Sequence, residues 1–350
     1  VPQPDSTIAA GALPWLHTHL NDGPWITAYT WTALASLASD EALTLPIVSI
    51  HDDPGRLHRL GTRLLPPLFR EAMDDDLRRA IITRIDECLP YFHTTSHRAA
   101  ASARVQVVES PTHPAPGPAT RPRVLAICID TAVEQHGPHL PLATDRIQSL
   151  AVLDALARQT PDLHIAPPLD YGQLAWGLPI GWSVDLTAPL TTRYVTGYVN
   201  ALLDAFQPQA IYAVCVHGSR FHHEAIRAGL QQSRARRWTF RWLHEPLSPQ
   251  AWSRGDAHAG GVETALIEHI NPALLDPRWW PARRAELQQR QMTLAAAIER
   301  SANLPAFILQ DHRQTWNGIV GDLANYDALQ PAAMMALMLD TARRDLGDLL

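Results

Sequence analysis

Lysine is absent from the 350 residues, so all 29 cationic side chains are arginine. That excludes Schiff-base chemistry and any lysine nucleophile. Cysteine is scarce: Cys88, Cys128 and Cys215 lie far apart with no C-x-x-C pair, so neither a disulfide framework nor a zinc-finger site is expected. Cys128 and Cys215 fall in apolar runs and read as small core residues. No basic run is long enough to track a phosphate backbone, and the net charge is −6, which argues against a nucleic-acid partner. No apolar run approaches the roughly 18 residues that span a bilayer, and the first residues lack a basic segment followed by an apolar one. The expectation is a soluble, cytoplasmic chain without a membrane partner, although a start at Val1 leaves a removed leader open.

What is present is a chain with 46% hydrophobic residues, long enough for one large domain or two ordinary ones. Four prolines crowd into Pro111–Pro118, within a stretch from Ser96 to Arg123 that has little apolar periodicity. The expected plan is therefore an N-terminal extension of unknown role over 1–110, a Pro-rich linker over 111–122 and a domain over 123–350. In the extension, Leu77, Ala80, Ile81, Ile85, Cys88 and Leu89 follow a run of Asp at helical spacing, which predicts one amphipathic helix. A short strand fits Leu45–Ile50, and His17, His19, His51 and His58 read as surface or packing residues.

The remainder alternates. Apolar β-type runs at 123–133, 163–166, 210–216 and 239–243 are separated by helical patterns at 145–159, 191–206 and 221–232, with a core-facing helix at 331–346 to close. Strand and helix in alternation predict a layered α/β/α domain with a mostly parallel sheet. The methionines of the last helix read as packing.

Ligands of such sheets bind outside the carboxyl ends of the strands. There the first β run continues into Glu134-Gln135-His136-Gly137-Pro138-His139-Leu140-Pro141-Leu142-Ala143-Thr144-Asp145. Residues two apart in an extended chain point the same way, so Glu134 and His136 enter one pocket. His217 ends the 210–216 run in the same sense. Asp145 stands at a helix start, where it either caps the helix or turns back over the pocket. Asp256–Thr264 sets His258 and Glu263 around a glycine pair: His258 on a mobile approach loop, suited to carrying a proton, and Glu263 in a first helical turn, as cap or ligand. Together these residues offer nitrogen and oxygen without thiolate, a set that suits one or two Zn, Mn or Fe ions per chain. Two adjacent cations would generate hydroxide at neutral pH and polarise a carbonyl.

The motifs EQHGPHLPLATD, VHG and DAHAGGVET resemble the creatininase (creatinine amidohydrolase) family over roughly residues 121–345, with weaker support from PPLDYG at 167–172 and GIVGD at 318–322. The resemblance implies an α/β layered fold, a dinuclear metal site, a homo-oligomer and hydrolysis of a C–N bond. It places Glu134 and His217 on one metal, His136 on the other and Asp145 between them. His258 becomes the proton carrier to the leaving nitrogen and Glu263 a ligand or base near the second metal. Where creatinine hydrolases of the family place a glutamate two residues after the second-strand histidine, this chain has Ser219, then Arg220, which makes creatinine a poor substrate expectation. The expected enzyme is thus an amidohydrolase that uses metal-bound hydroxide on a non-peptide C–N bond of a small amide, formamide or cyclic ureide. Alternatives are a non-catalytic binding or scaffold protein, and a metallohydrolase of an ester, lactone or phosphate with Arg220 as anion contact. Substrate contacts are expected from Arg220, Ser219, Asp256, Trp176 and Trp182, with core packing the alternative for the two tryptophans and a surface position for Arg220. His222 and His223 read either as further contacts or as helix-start residues.

Overall fold

A computed structural model describes residues 74–88 and most of 122–350, leaving out 132–133, 138, 142, 167, 170, 181–182, 276–281, 309–315, 322 and 325. The expected strand at Leu45–Ile50, the four N-terminal histidines, almost all of the Pro-rich stretch and Trp182 lie outside the described residues. Among the described residues, four strands form one sheet: β1 (Val124–Cys128), β2 (Leu163–Ile165), β3 (Ala210–Cys215) and β4 (Trp238–Trp242). Their order is β2-β1-β3-β4 and every pairing is parallel, in register Val124 to Leu163, Val124 to Ala210 and Ile211 to Trp238. The layered α/β expectation holds.

Alternation along the strands divides the core in two. Leu125, Ile127, Ile129, Ile211, Ala213 and Cys215 face one side, and Val124, Ala126, Cys128, Ala210, Tyr212 and Val214 the other. Both sides are buried, which is why β1 and β3 read as continuous apolar runs rather than alternating ones. The first side is covered by α1 (Asp75–Cys88), α3 (Ala188–Phe206) and α4 (Arg220–Gln232). The second is covered by α2 (Thr144–Ala157), α6 (Gly261–Ile270) and α10 (Pro331–Leu349). Between these lie α5 (Ser248–Ser253), and then α7 (Ala282–Gln288), α8 (Leu294–Ser301) and α9 (Leu304–Ile308) ahead of α10.

The predicted N-terminal helix is α1, and its Leu77, Ile81 and Cys88 join the same cluster as Tyr194, Val195 and Tyr198 of α3. Arg84 of α1 donates to the Asp185 carboxylate at 2.6 Å, just ahead of α3. This helix therefore packs on the α/β domain although the Pro-rich stretch separates the two in sequence. In α10, Met334, Met335 and Met338 are buried as expected, whereas Leu337 turns outward. Among the described residues, no helix is long and apolar enough to cross a membrane.

Two sequence expectations need correction. The first strand ends at Cys128, not near Val133, because Asp130 pairs its backbone with Leu169 and the chain leaves the β3 ladder. Glu134 therefore sits on a loop beyond the strand end. The loop of His258 is also held rather than mobile: the His258 N–H donates to Val320 O at 2.9 Å and Val320 N–H returns to His258 O at 2.8 Å. Gly260 and Gly321 allow this close approach, since a Cβ on Gly321 would stand 2.5 Å from the Gly260 Cα.

Candidate metal centre

Three loops at the carboxyl edge bring the predicted ligands together. The Glu134 carboxylate accepts from Thr131 Oγ1 and lies 2.8 Å from His217 Nδ1 through Oε2. Asp145 is the second helical residue of α2, yet it makes no cap: Oδ1 lies 3.3 Å from His136 Nε2, and Oδ2 lies 3.3 Å from His217 Nδ1. The pocket reading of Asp145 thus prevails over the capping one. Glu263 does both, because Oε2 accepts from the Ala259 N–H at 2.5 Å and stands 3.8 Å from His136 Nε2. His258 Nδ1 faces Glu134 Oε1 at 3.5 Å, while its Nε2–H donates to the Gln135 carbonyl at 2.8 Å. The Gln135 side-chain nitrogen also lies 3.0 Å from that Nε2 but donates to Gly318 O, so the imidazole proton stays on Nε2.

Donor atoms of Glu134, Asp145 and His217 all lie within 4.8 Å of one another, as do those of His136, Asp145 and Glu263, and those of Glu134, His136 and His258. Asp145 is common to the first two sets. The fit to a cation rests on His136 Nε2 and Asp145 Oδ1, buried atoms that, apart from their own 3.3 Å contact, make no hydrogen bond to the described residues. A buried polar atom without a partner costs free energy, and here two such atoms face each other at a distance too long for a good hydrogen bond. His136 Nδ1 meanwhile donates to the Glu134 carbonyl at 3.0 Å, leaving Nε2 as the lone-pair nitrogen, which is the orientation metal-bound imidazoles take.

Electrostatics agree. Burial opposes a charge on His136, but the carboxylates of Asp145, Glu263 and Glu134 outweigh it and push the imidazole up to about 10. His217 moves well above its ordinary value against the same burial, drawn by Glu134 and Asp145. Burial and the neighbouring carboxylates lift Glu263 to about 8, whereas burial and His136 hold His258 down to about 4. A pocket that forces two buried imidazoles to take protons is one that demands positive charge, which divalent cations supply.

Several expected substrate contacts are engaged by the protein itself. The Arg220 side chain is 87% exposed and pairs with Glu224 at 2.7 Å, outside the pocket. Ser219 caps α4, accepting from His222 N and donating to Gln173 Oε1 at 2.6 Å. Asp256 accepts from Val262 N at 2.8 Å and braces the start of α6. His222 and His223 are buried, with Nε2 donating to Ile129 O and to His217 O respectively, so they are neither surface residues nor cluster members. Trp176 does reach the site: its ring meets His258 at 6.1 Å edge-on and stacks on Phe307 at 5.6 Å. Sequence reasoning passed over Asp130 and Gln135. A charged residue closing a continuous apolar run was the available signal for Asp130.

Fold and pocket together define an α/β protein with a buried nitrogen–oxygen donor cluster, arranged around one shared carboxylate, at the carboxyl edge of a parallel sheet. The chain belongs to the creatininase family, whose model, described as creatinine amidohydrolase, matches residues 118–346. It is 32% identical over 169 residues to a mycofactocin precursor peptide peptidase of Mycobacterium ulcerans (strain Agy99), covering 45% of this chain and 62% of that protein. Against the protein of the same name from Mycolicibacterium smegmatis, identity is 32% over 150 residues, 40% of this chain and 56% of the relative. The matched part therefore spans less than two thirds of either relative. Among solved structures, a putative creatinine amidohydrolase of Bacteroides fragilis NCTC 9343 aligns with a TM-score of 0.47 at 17% identity, covering 66% of this chain and 89% of that one. A creatinine amidohydrolase (creatininase) aligns with a TM-score of 0.47 at 16% identity, covering 65% and 90%.

Proposed function

We propose that the chain is a metal-dependent amidohydrolase that cleaves a C–N bond, with a peptide amide as substrate. The observation that carries the metal dependence is Asp145, buried and shared by two donor sets, with Oδ1 and His136 Nε2 facing each other at 3.3 Å and bonded to no other described residue. The names of the matching relatives carry the choice of a peptide over the small amide, formamide or cyclic ureide expected from sequence.

Glu134, Asp145 and His217 would hold one cation, and His136, Asp145 and Glu263 a second. Zn, Mn and Fe all suit this donor set. When bound, such ions supply Lewis acidity to the amide carbonyl and lower the pKa of water toward neutrality. Thr131 and the Glu134 carbonyl orient Glu134 and His136 before any ligand arrives. His258, with its proton fixed on Nε2 by Gln135, presents the Nδ1 lone pair to the cluster, accepts a proton there and returns it to the departing nitrogen. Trp176 walls the site beside it. An ester or phosphate reading relied on Arg220, whose place on the outer surface gives it no support.

The test is chelation followed by reconstitution with Zn, Mn or Fe, and assay on a panel containing a peptide, a formamide, a cyclic ureide and the matching esters. About two cations per chain and cation-dependent release of a new peptide amine are expected. Turnover by cation-free protein contradicts the reading. Cation-dependent cleavage confined to the small amides would keep the mechanism and replace the substrate class.

A further inference from the structure

One buried carboxylate takes no part in the donor sets and yet touches the elements that carry them. Asp130 is fully buried just past the end of β1. Oδ1 accepts from the backbone N–H of Val216 and of His217, both at 3.0 Å, and Oδ2 accepts from Ser149 Oγ at 2.5 Å. The Asp130 N–H donates to Leu169 O at 3.1 Å, so the backbone is anchored on the opposite side. The β1–β3 ladder has ended by this point, Ile129 N to Val214 O being its last bond, and the Asp130 side chain takes over where backbone pairing stops.

Both groups it holds lead to candidate ligands. His217 is one itself, and its carbonyl is fixed in turn by His223 Nε2 at 2.7 Å. Ser149 stands one helical turn after Asp145 on α2, hence on the same helix face. We infer that Asp130 is a positioning residue that sets the separation between His217 and Asp145, and thereby the affinity of the cation site they share with Glu134. The inference rests on the metal-site reading above, but not on the reaction or the substrate.

Asp130→Asn keeps an acceptor for the two amides and an amide group that can donate to the Ser149 hydroxyl. Asp130→Ala removes both, and Asp130→Val removes both without leaving a cavity. The probe is Co²⁺, titrated into the cation-free full chain in competition with a chelator while the visible ligand-field spectrum is recorded. Asp130→Ala or Asp130→Val should weaken the tighter site by about 10–100-fold and alter its spectrum, as loss of an outer partner of a ligand does. Asp130→Asn should stay within about threefold of wild type, because the oxygen that accepts from the Val216 and His217 N–H groups is kept. A folded Asp130→Ala or Asp130→Val protein with wild-type affinity and spectrum overturns the inference. So does unfolding of both cation-free variants while Asp130→Asn remains folded, which would make the residue structural instead. Failure of the wild-type chain to bind Co²⁺ would strike the metal-site reading itself, and hydrolysis need not be measured at any stage.

Discussion

The two edges of the sheet set their carboxylates in opposite surroundings. At the amino edge, Arg234 pairs with Asp204 at 2.6 Å and Arg123 with Asp162 at 3.5 Å, and all four side chains are exposed. Water screens such pairs, so they contribute little to stability. At the carboxyl edge, Glu134, His136 and Asp145 are nearly inaccessible, and their charges are left to one another. Burial of the carboxylates separates a site that demands a cation from a solvated surface.

Moving a defect from one edge to the other should therefore change its consequence most. Asp145→Ala should abolish binding at both cation sites and lower kcat/KM by at least about 10³-fold, because one carboxylate serves both donor sets. Asp204→Ala at the other edge should leave cation content and turnover as in wild type. Metal analysis and steady-state kinetics on the two variants measure the contrast.

Next in size is Gly260→Ala. Its Cβ would stand 2.0 Å from Asp256 Oδ1 and 2.9 Å from the Gly321 Cα, so the loop carrying His258 must shift. Kinetics should show roughly a 10²-fold loss in kcat, the scale set by displacement of about an ångström. Denaturant unfolding should show about 1–3 kcal/mol of destabilisation from overpacking.

A third effect sharpens the burial argument through pH. His244 is buried against Gln148 Oε1 at 2.9 Å, and burial holds it down to about 4, below the ordinary 6.5 of an unfolded chain. The unfolded state thus takes up a proton that the folded state refuses. Stability is complete above about pH 6.5 and lost as pH falls from there toward 4. His244→Gln should remove about 2 kcal/mol of the difference in unfolding free energy between pH 7 and 4.5, read by urea titration at both. The smallest effect is expected from Arg220→Ala. Its side chain is exposed and, among the described residues, pairs along its own helix with Glu224, so kcat/KM should remain within about twofold.

Much of the fold was legible because both faces of the sheet are covered. Continuous apolar runs marked β1 and β3, and the helical patterns after them became α2, α3 and α4 within a few residues. Part of the pocket was legible for the same reason: Glu134, His136 and His217 follow the apolar strands β1 and β3, whereas Asp145 and Glu263 stand in the first turns of α2 and α6. What escaped reading was long-range pairing. The antiparallel bridge between His258 and Val320, which turns an apparently mobile loop into a held one, joins segments 62 residues apart and leaves no local signature. Arg220 showed the converse, since adjacency to His217 in sequence becomes an outward direction once α4 begins there. Asp130 lay in plain sight as a charge at the end of an apolar run, but its partners at 216, 217 and 149 are supplied by other elements.

The most direct test of the central claim is an anomalous-scattering map from crystals of the full chain loaded with Mn²⁺. Two peaks are predicted, each in contact with Asp145, one beside Glu134 and His217 and the other beside His136 and Glu263. Native-fold crystals in which Mn²⁺ sits away from Asp145, or in which the pocket takes up no ion at saturating Mn²⁺, would contradict the account.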